Sequence, residues 1–252
     1  MSQLISLHSF RRGVGKTTLT VNLAVLLTQA GFRVGMADLN FSAPSLHIFL
    51  GIDESAIPHT INDFIWGDCE IVDCALEVTS CVEEAGLGQL FLTAASTRPS
   101  HITRIVRGGF YTHLISDACQ GMVEELNLDF LLVDTQAGWN EESQLITAVS
   151  DTSLIILRPD QQDYQGTGLL TELARQLDVP QRFLIVNQTP PQFELTTIQH
   201  QFSDIYQCDL TAVLPHSQTL MWLGSSGLFV LEYPDDAVTG LIKNLVWELR
   251  TN

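Results

Sequence analysis

A segment near the start of the chain combines glycines, a lysine and threonines at a spacing that suits polyphosphate binding. It is Ser9–Thr18, with the sequence SFRRGVGKTT, between the apolar run Leu4–His8 and a helical pattern that opens at Thr17. A strand that ends in such a loop and continues into a helix points backbone N–H groups and the positive end of the helix dipole at one spot. Lys16 would contact the β and γ phosphates there, and the Thr17 hydroxyl would bind Mg²⁺. The alternative is a loop that binds nothing.

Two aspartates follow segments that have the composition of buried strands. Asp38 follows Arg33–Ala37, and Asp134 follows the apolar run Phe130–Val133. In an open parallel sheet, ligand-binding groups collect at the carboxyl ends of the strands, so both carboxylates are expected beside the phosphate loop. Thr17 and Asp134 are therefore predicted magnesium ligands, and Asp38 is expected beside them. The alternative for either aspartate is a polar residue that caps a strand or begins a turn.

The loop and the two strand ends resemble the deviant Walker A ATPases of the ParA/MinD family, whose loop has the consensus KGGxGKT followed by T or S. The signature lysine of that family falls on Arg11 here, and its first glycine falls on Arg12. In the family this lysine reaches across a nucleotide-sandwich dimer to the partner's phosphates, so the resemblance implies that role for Arg11, which keeps the charge. The loop residues expected to contact the nucleotide are Arg12, Gly13, Val14, Gly15, Lys16, Thr17 and Thr18.

The resemblance also assigns roles in the first switch segment. The family has DxD there, in which the first aspartate contacts the magnesium shell and the second helps to orient the attacking water. The corresponding residues here are Asp38 and Asn40. Because an amide can bond a water but cannot accept its proton as a carboxylate does, we expect slow hydrolysis or hydrolysis that a partner stimulates. The expected catalytic residues are Arg11, Lys16, Asp38 and Asn40.

Further nucleotide contacts are implied by the resemblance at three later loops. Thr135–Gly138 resembles the second switch, DxPAG, with Gln136 in place of proline, and the backbone N–H of Gly138 would meet the γ phosphate. Asn187 matches the base-contacting asparagine of the family, and its amide would pair with adenine N6 and N7. An Asx turn is the alternative for this asparagine. The backbone around Pro215 is expected to line the adenine pocket.

Strands alternate with helices along the chain, without an internal repeat or a low-complexity tract. This order predicts an α/β fold, a doubly wound, mostly parallel sheet with helices on both faces, as in the ParA/MinD-like P-loop NTPases. With 252 residues, 45% of them hydrophobic, we expect a single domain over residues 1–252. The predicted strands are Gln3–His8, Arg33–Ala37, Leu90–Ala95, Phe130–Asp134, Leu154–Leu157, Phe183–Val186 and Ala212–Leu214. The predicted helices are Thr17–Ala30, a short one in Thr60–Trp66, one after Pro99, then Phe110–Leu126, Gly166–Leu177, Thr196–Tyr206 and Ala237–Leu249, with a polar loop at Arg158–Gly166.

The charge balance restricts how this chain could meet nucleic acid. It carries 29 acidic against 12 basic residues, for a net charge of −17. DNA or an anionic membrane would therefore have to be met by a local patch rather than by a broad surface. The densest basic cluster outside the loop contains Arg98, Arg104 and Arg107. It is either a docking patch for DNA or an acidic partner, or a solvated helix face.

The sequence gives no sign of membrane insertion. It has no apolar run of the roughly 20 residues that a spanning helix needs, and no signal-peptide pattern at its start. The C-terminal helical pattern is amphipathic, but its basic residues are limited to Lys243 and Arg250, so we expect it to dock on the sheet rather than on a membrane. These features predict a cytoplasmic protein, associated with the nucleoid if DNA is bound.

The five cysteines form no CxxC pair. Buried free thiols are therefore expected. A metal site that uses Cys69, Cys74 and Cys81, which lie close together in the sequence, is the alternative.

The resemblance implies an ATP- and Mg²⁺-dependent switch. Two subunits would sandwich two ATP molecules, and the homodimer would bind an adaptor or activator protein until hydrolysis returns it to monomers. Family members position plasmids, chromosomes, division machinery or carboxysomes, and McdA proteins among them also lack the signature lysine. The alternatives are a nucleotide-binding regulator that does not hydrolyse ATP, which Arg12, Asn40 and Gln136 would favour, and a metal-centre maturation NTPase.

Overall fold

An eight-stranded sheet dominates the computed structural model, which describes residues 2–82, 88–108 and 113–251. The strands are β1 (Gln3–His8), β2 (Arg33–Leu39), β3 (Ala75–Glu77), β4 (Gln89–Thr93), β5 (Phe130–Thr135), β6 (Thr152–Leu157), β7 (Gln181–Thr189) and β8 (Leu210–Pro215). They lie in the order β3-β4-β2-β5-β1-β6-β7-β8. Each neighbouring pair is parallel except β3 with β4, which is antiparallel.

Helices alternate with the strands and cover both faces of the sheet, so the predicted doubly wound α/β fold class is confirmed. The helices of the described residues are α1 (Lys16–Gln29), α2 (Leu46–Phe49), α3 (Ile61–Ile65), α4 (Pro99–Gly108), α5 (His113–Glu125), α6 (Glu141–Val149), α7 (Gln161–Gln176), α8 (Leu195–Tyr206), α9 (Gln218–Leu223), α10 (Phe229–Glu232) and α11 (Ala237–Thr251). Three short 3₁₀ turns lie at Glu54–Ala56, Ile71–Cys74 and Thr79–Cys81.

The central strands are buried on both faces, which explains their continuous apolar runs. In β5, Phe130 and Leu132 belong to the core on the α1 side of the sheet. Leu131 and Val133 belong to the core on the α5 side. Because successive side chains of a strand point to opposite faces, one short apolar run supplies both cores. The carboxyl end of the strand is thereby held rigidly from two sides.

Helix α1, which follows the phosphate loop, is buried around most of its circumference. Leu23 and Leu27 are fully buried in the same core as Ile242 and Leu245 of α11. The helix therefore packs on both the sheet and α11, so its start, where the phosphate loop ends, cannot shift without disturbing the core.

Most predicted elements are present, and one prediction about the chain after β6 is wrong. Arg158–Gly166 was expected to be a polar loop, but α7 begins at Gln161. The Asp160 side chain accepts hydrogen bonds from Gln162 N and Asp163 N, and this N-cap starts the helix within a polar sequence. Strand β3 and helices α6, α9 and α10 were not predicted, and α1 begins one residue earlier than expected. Residues 110–112 of the predicted helix Phe110–Leu126 lie outside the described residues.

The C-terminal helix docks on the sheet, as the sequence predicts. Val238, Ile242, Leu245 and Leu249 are buried, whereas Trp247 on the other face is 59% exposed. Within the described part of the chain, no helix has the length and apolar character that crossing a bilayer requires.

Gly88, immediately before β4, allows the packing to be tested by mutation. A Cβ on Gly88 would lie 2.0 Å from the carbonyl oxygen of Thr28 and 2.8 Å from that of Phe32. Because both contacts are with backbone atoms, we expect Gly88→Ala to lower the free energy of unfolding by about 1–3 kcal/mol. Urea denaturation measures this change through the midpoint of the transition.

The matched control is Gly240→Ala, because a Cβ on Gly240 of α11 would have no neighbour within 4 Å. Alanine there should raise the stability by about 0.5–1 kcal/mol, since it is the better helix former. Equal midpoints for the two variants would contradict the packing described here.

Candidate functional site

Residues 9–15 form the turn between β1 and α1, and two glycines allow its shape. Gly13 and Gly15 have φ angles of 78° and 99°, in the left-handed region that favours glycine. Gly15 is also the N-cap of α1, so the first N–H groups of that helix point into the space that the loop encloses. Arg12, which replaces a consensus glycine, does not have a positive φ, so its side chain adds no backbone strain there.

Lys16 lies inside this turn rather than in solvent. It is 8% exposed, and its Nζ donates a hydrogen bond of 2.9 Å to Ser9 Oγ. Burial lowers the pKa of Lys16, and the charge of Asp134 acts in the opposite direction. The ammonium group is thus held close to the loop by one weak acceptor, which a phosphate oxygen could replace.

Two fully buried carboxylates face each other at the end of the sheet. Asp38 of β2 and Asp134 of β5 are direct partners in the parallel register, and both are 0% exposed. Asp38 accepts backbone hydrogen bonds from Asn40, Ser45 and Leu46 at 2.8–3.1 Å. Burial raises the pKa of both carboxyls, and the charge of Asp134 raises that of Asp38 further, to about 7.

The oxygen atoms around Asp134 fit a small divalent cation. Thr17 Oγ1 donates a hydrogen bond of 2.6 Å to Asp134 Oδ2. The second carboxylate oxygen, Asp134 Oδ1, is buried and has no hydrogen-bond partner among the described residues. Hydroxyl and carboxylate oxygens are the ligands that Mg²⁺ prefers. A cation here would also relieve the repulsion between Asp38 and Asp134, so the residues present fit the predicted metal.

A cavity of about 330 Å³ adjoins the loop, and Pro215 is part of its lining. That this cavity takes adenine stays a prediction. Asn187 also borders it, but its Nδ2 donates to Val14 O at 2.7 Å and its Oδ1 accepts from Gln188 N. A Cβ on Gly15 would lie 2.4 Å from that Nδ2, so Gly15 allows this close approach. The amide of Asn187 therefore braces the phosphate loop, and pairing with adenine would require it to leave Val14.

Two other groups that were predicted to act at the nucleotide also have hydrogen-bond partners within the chain. The backbone N–H of Gly138 donates to Ser9 O at 2.9 Å, so it is not free for a γ phosphate in this arrangement. The Asn40 amide donates to Ala43 O at 2.9 Å and closes a turn. Both groups lie beside the loop, where the sequence placed them, but their predicted roles require a change of hydrogen-bond partner.

Arg11 contacts helix α7 of its own chain. Its guanidinium lies 3.8 Å from Asp160 Oδ1 and 3.7 Å from Asp163 Oδ1. The neighbouring Phe10 ring packs on Gly166 so closely that a Cβ there would lie 2.0 Å from the ring carbon Cγ. The first half of the phosphate loop is therefore attached to the start of α7, an attachment that the sequence did not predict.

Comparisons with known proteins now identify the family. Residues 1–187 match a family model described as ParA, NUBPL iron-transfer P-loop NTPase. The chain belongs to the ParA family of P-loop NTPases. It is 26% identical over 228 residues to the septum site-determining protein MinD of Synechocystis, a match that covers 88% of this chain and 79% of that protein.

Solved structures share the fold of this ParA-family protein. The septum site-determining protein MinD of Pyrococcus horikoshii, complexed with Mg-ADP, matches with a TM-score of 0.80 and 19% identity over 100% of this chain and 97% of that one. The apo McdA of Cyanthece matches with a TM-score of 0.74 and 17% identity over 98% of this chain and 99% of that one. The predicted resemblance to the ParA/MinD family is confirmed.

Several residues that contact the site of this ParA-family protein were not predicted from the sequence. Asp160 and Asp163 hold Arg11, Ser9 holds Lys16, and His8 lies beneath the loop. Asp160 could have been found, because an aspartate three residues before another acidic residue in a polar stretch is a typical helix start. His8 shows no such signal, since its partners Thr135 and Thr147 are distant in the sequence.

The predicted basic cluster lies on and just before helix α4. Arg98 lies 3.8 Å from Glu54, and the guanidinium of Arg104 stacks over the Trp66 ring at 4.0 Å from its centroid. Arg107 is exposed. The first two arginines therefore already have partners within the chain, and contact with DNA through this patch remains a prediction.

All five cysteines are free thiols, as expected, but only Cys74 and Cys119 are buried, whereas Cys69, Cys81 and Cys208 are partly exposed. Cys69 Sγ and Cys74 Sγ lie 3.4 Å apart, and burial raises the pKa of both thiols. Among the described residues, no group of three or more histidine, cysteine or acidic side chains could hold a metal ion. The alternative metal site at Cys69, Cys74 and Cys81 is therefore not formed in this structure.

The buried carboxylate pair predicts how stability depends on pH in the absence of metal. Because the pKa values of Asp38 and Asp134 are raised above the unfolded value near 4, the folded state binds more protons than the unfolded state between about pH 4 and 7. Stability should therefore fall as the pH rises through this range. Asp134→Asn removes one charge and should be about 1–3 kcal/mol more stable than wild type at pH 8, with no difference near pH 4.

Urea denaturation in EDTA at pH 4, 6 and 8 measures this difference. Asp178→Asn, at an exposed position, is the control and should track wild type at each pH. A constant difference between Asp134→Asn and wild type across the range would show that the pKa of Asp134 is not raised in the folded state.

Proposed function

We propose that this ParA-family protein binds ATP with Mg²⁺, forms an ATP-dependent sandwich homodimer and hydrolyses ATP slowly in order to position a cellular cargo through an adaptor. The observation that carries the proposal is the convergence of Lys16, Thr17, Asp38 and Asp134 at one end of the parallel sheet. These residues supply a cation for phosphate oxygens and oxygen ligands for a metal. ATPases of the MinD and ParA type use this arrangement.

In the proposed complex, Lys16 leaves Ser9 and contacts the phosphates, while the N–H groups at the start of α1 bind their oxygens. Thr17, Asp38 and Asp134 would hold Mg²⁺, which supplies positive charge against the triphosphate. The base would occupy the cavity of about 330 Å³ that Pro215 lines. Thr18 also borders this cavity, between the phosphate and base subsites.

Slow hydrolysis is proposed from the position of Asn40. Its amide replaces a carboxylate and closes a turn with Ala43, so it can orient a water only after that turn opens. An adaptor that opens residues 40–45 would stimulate hydrolysis. In the absence of such a partner, the dimer would persist.

The dimer is proposed to use Arg11 across the interface. Its side chain is 38% exposed and is held by Asp160 and Asp163 at 3.7–3.8 Å, which is longer than a close ion pair. Asp160 is 41% exposed, so its pair with Arg11 contributes little free energy. Asp163 is buried but also pairs with Arg158, so the phosphates of a second subunit could compete for the Arg11 guanidinium. Its planar fork suits phosphate oxygens.

The class of cargo is proposed from the relatives. One of them is a septum site-determining MinD, and another is McdA. We propose that this protein works in the cytoplasm on division machinery, a chromosome, a plasmid or a carboxysome, with nonspecific DNA as one surface. Contact with DNA through Arg98, Arg104 and Arg107 should weaken steeply with salt, because it would displace counterions.

A nucleotide-binding regulator without turnover is the second candidate. The observation that favours it is the engagement of the Asn40 amide and the Gly138 N–H within the chain. A third candidate, metal-centre maturation, takes its support from the iron-transfer description of the matching family model. Metal analysis of the purified protein, with and without added iron, tests the third candidate.

Nucleotide-dependent dimerisation is the first test of the proposal. Light scattering should give a monomer without nucleotide and with ADP, and a dimer with ATP and Mg²⁺. Lys16→Ala should stay monomeric with ATP, because it removes the cation that meets the phosphates. Lys243→Ala, which changes the exposed lysine of α11, is the matched control and should dimerise like wild type. A Lys16→Ala protein that dimerises with ATP would contradict the proposed nucleotide site.

Turnover of an Asn40→Asp variant separates the ATPase from the regulator. A carboxylate has no N–H to donate to Ala43 O, as Asn40 Nδ2 does, and it can accept a proton from water, so we expect turnover to rise about tenfold or more. Phosphate release measures the rate. Asn244→Asp, an exposed position on α11, controls for the added charge. Tight ATP binding with no turnover in either protein, alone or with candidate partners, would favour the regulator.

A further inference from the structure

His8 and Ser9, at the end of β1, are buried beneath the phosphate loop and contact the segment 135–149 at three points. The ring of His8 is 2% exposed, and Ser9 is 1% exposed. His8 Nδ1 lies 3.1 Å from Thr135 Oγ1, and His8 Nε2 lies 3.1 Å from Thr147 Oγ1 on α6. Between these contacts, Ser9 O accepts the N–H of Gly138. This pair of residues therefore contacts the first and last residues of the second switch, Thr135 and Gly138, and also helix α6.

Ser9 also holds the lysine that would bind phosphate. Its Oγ accepts from Lys16 Nζ at 2.9 Å and donates to Arg11 O at 2.7 Å. The two donors that Ser9 accepts, Lys16 Nζ and the Gly138 N–H, are the same two that the family resemblance places on the triphosphate. The hydroxyl and the carbonyl oxygen of Ser9 thus accept the hydrogen bonds that phosphate oxygens would accept.

The ring of His8 can transmit a shift at one end of the segment to the other. Burial and the charge of Lys16 lower the pKa of His8 to about 3, so the ring is neutral, with one nitrogen as donor and the other as acceptor. Thr135 Oγ1 also lies 2.6 Å from Leu7 O, and Thr147 Oγ1 lies 2.6 Å from Ser143 O. Each threonine hydroxyl has one proton to donate, and the neutral ring has one N–H. The hydrogen bonds of the two hydroxyls and of the ring are therefore coupled, because a change of donor at one of them changes the donors available to the others.

We propose that Ser9 is the resting acceptor for Lys16 and Gly138, and that His8 transmits their release on triphosphate binding to helix α6 through Thr135 and Thr147. His8 and Ser9 are positioning residues, and the inference rests on the proposed binding of ATP. Helix α6, to which His8 would transmit the change, lies at the surface: Glu141, Gln144 and Ala148 are exposed. ATP in the site would in this way change a face of the protein that a partner can contact.

The first test concerns Ser9. In Ser9→Ala, Lys16 loses its resting partner, so the nucleotide-free state is raised in free energy while the ATP complex is not. We expect ATP to bind about 5–10-fold more tightly, as measured by titration calorimetry with ATP and Mg²⁺. A residue that merely supported the loop would give weaker binding on removal. Unchanged or weaker binding by Ser9→Ala overturns the resting-acceptor role.

The second test concerns transmission to α6 and uses Thr147→Val, which keeps the shape and removes the hydroxyl. Hydrogen exchange is followed by mass spectrometry on peptides that cover residues 136–149, with and without ATP. In wild type, ATP should change the exchange rate of α6 at least threefold. In Thr147→Val, ATP affinity should stay within about twofold of wild type, while the response of residues 141–149 is lost. Thr147→Ser, which keeps the hydroxyl, should restore the response.

The matched control is Thr28→Val, because Thr28 is also a buried helical threonine whose hydroxyl donates to the carbonyl four residues earlier. It should keep the ATP response of α6. A full response in Thr147→Val overturns the inference, as does ATP binding to wild type without any change in α6. If wild type does not bind ATP, the proposed function fails, and this inference fails with it.

Discussion

The structure depends on a costly arrangement, two buried carboxylates on neighbouring strands. Asp38 and Asp134 are register partners at the ends of β2 and β5, with no exposed surface. Like charges at this separation raise each other's energy, and burial removes the water that would screen them. Such a pair persists because the strands that carry it are held in position from both faces. Lys16 compensates part of this charge, and in the proposed complex a divalent cation would compensate the rest.

The rest of the molecule provides that rigidity. The central strands are packed on both faces, and α1 packs on both the sheet and α11. In the proposed complex, the Asn40 amide and the Gly138 N–H, which would change partner, are instead in loops, at residues 40–45 and 136–140. Fixed carboxylates beside adaptable loops suit a site that binds a charged ligand and reports its presence. The core holds the two carboxylates in place, and the backbone N–H groups of Asn40, Ser45 and Leu46 stabilise the charge of Asp38.

Much of the site could be predicted because its parts occur at the ends of recognisable strands. Apolar runs that end in Asp38 and Asp134, and a loop that ends in Gly15, Lys16 and Thr17, are local patterns. What could not be predicted is which polar groups the chain satisfies internally. Asn187 bonds Val14, and Gly138 bonds Ser9, although both were expected to face the nucleotide. A hydrogen-bond donor has the same residue type whether its partner is a ligand or the backbone.

The sequence by itself determined the order of strands and helices, the position of the phosphate loop and the two carboxylates beside it. These follow from hydrophobic periodicity and from the rule that parallel strands present their carboxyl ends at one edge. Only the tertiary structure decided that Arg11 meets Asp160 and Asp163, and that His8 meets Thr147, 139 residues away. The physical reason is that such partners are brought together by the order of strands in the sheet and the packing of helices on it, which no local pattern of residues encodes.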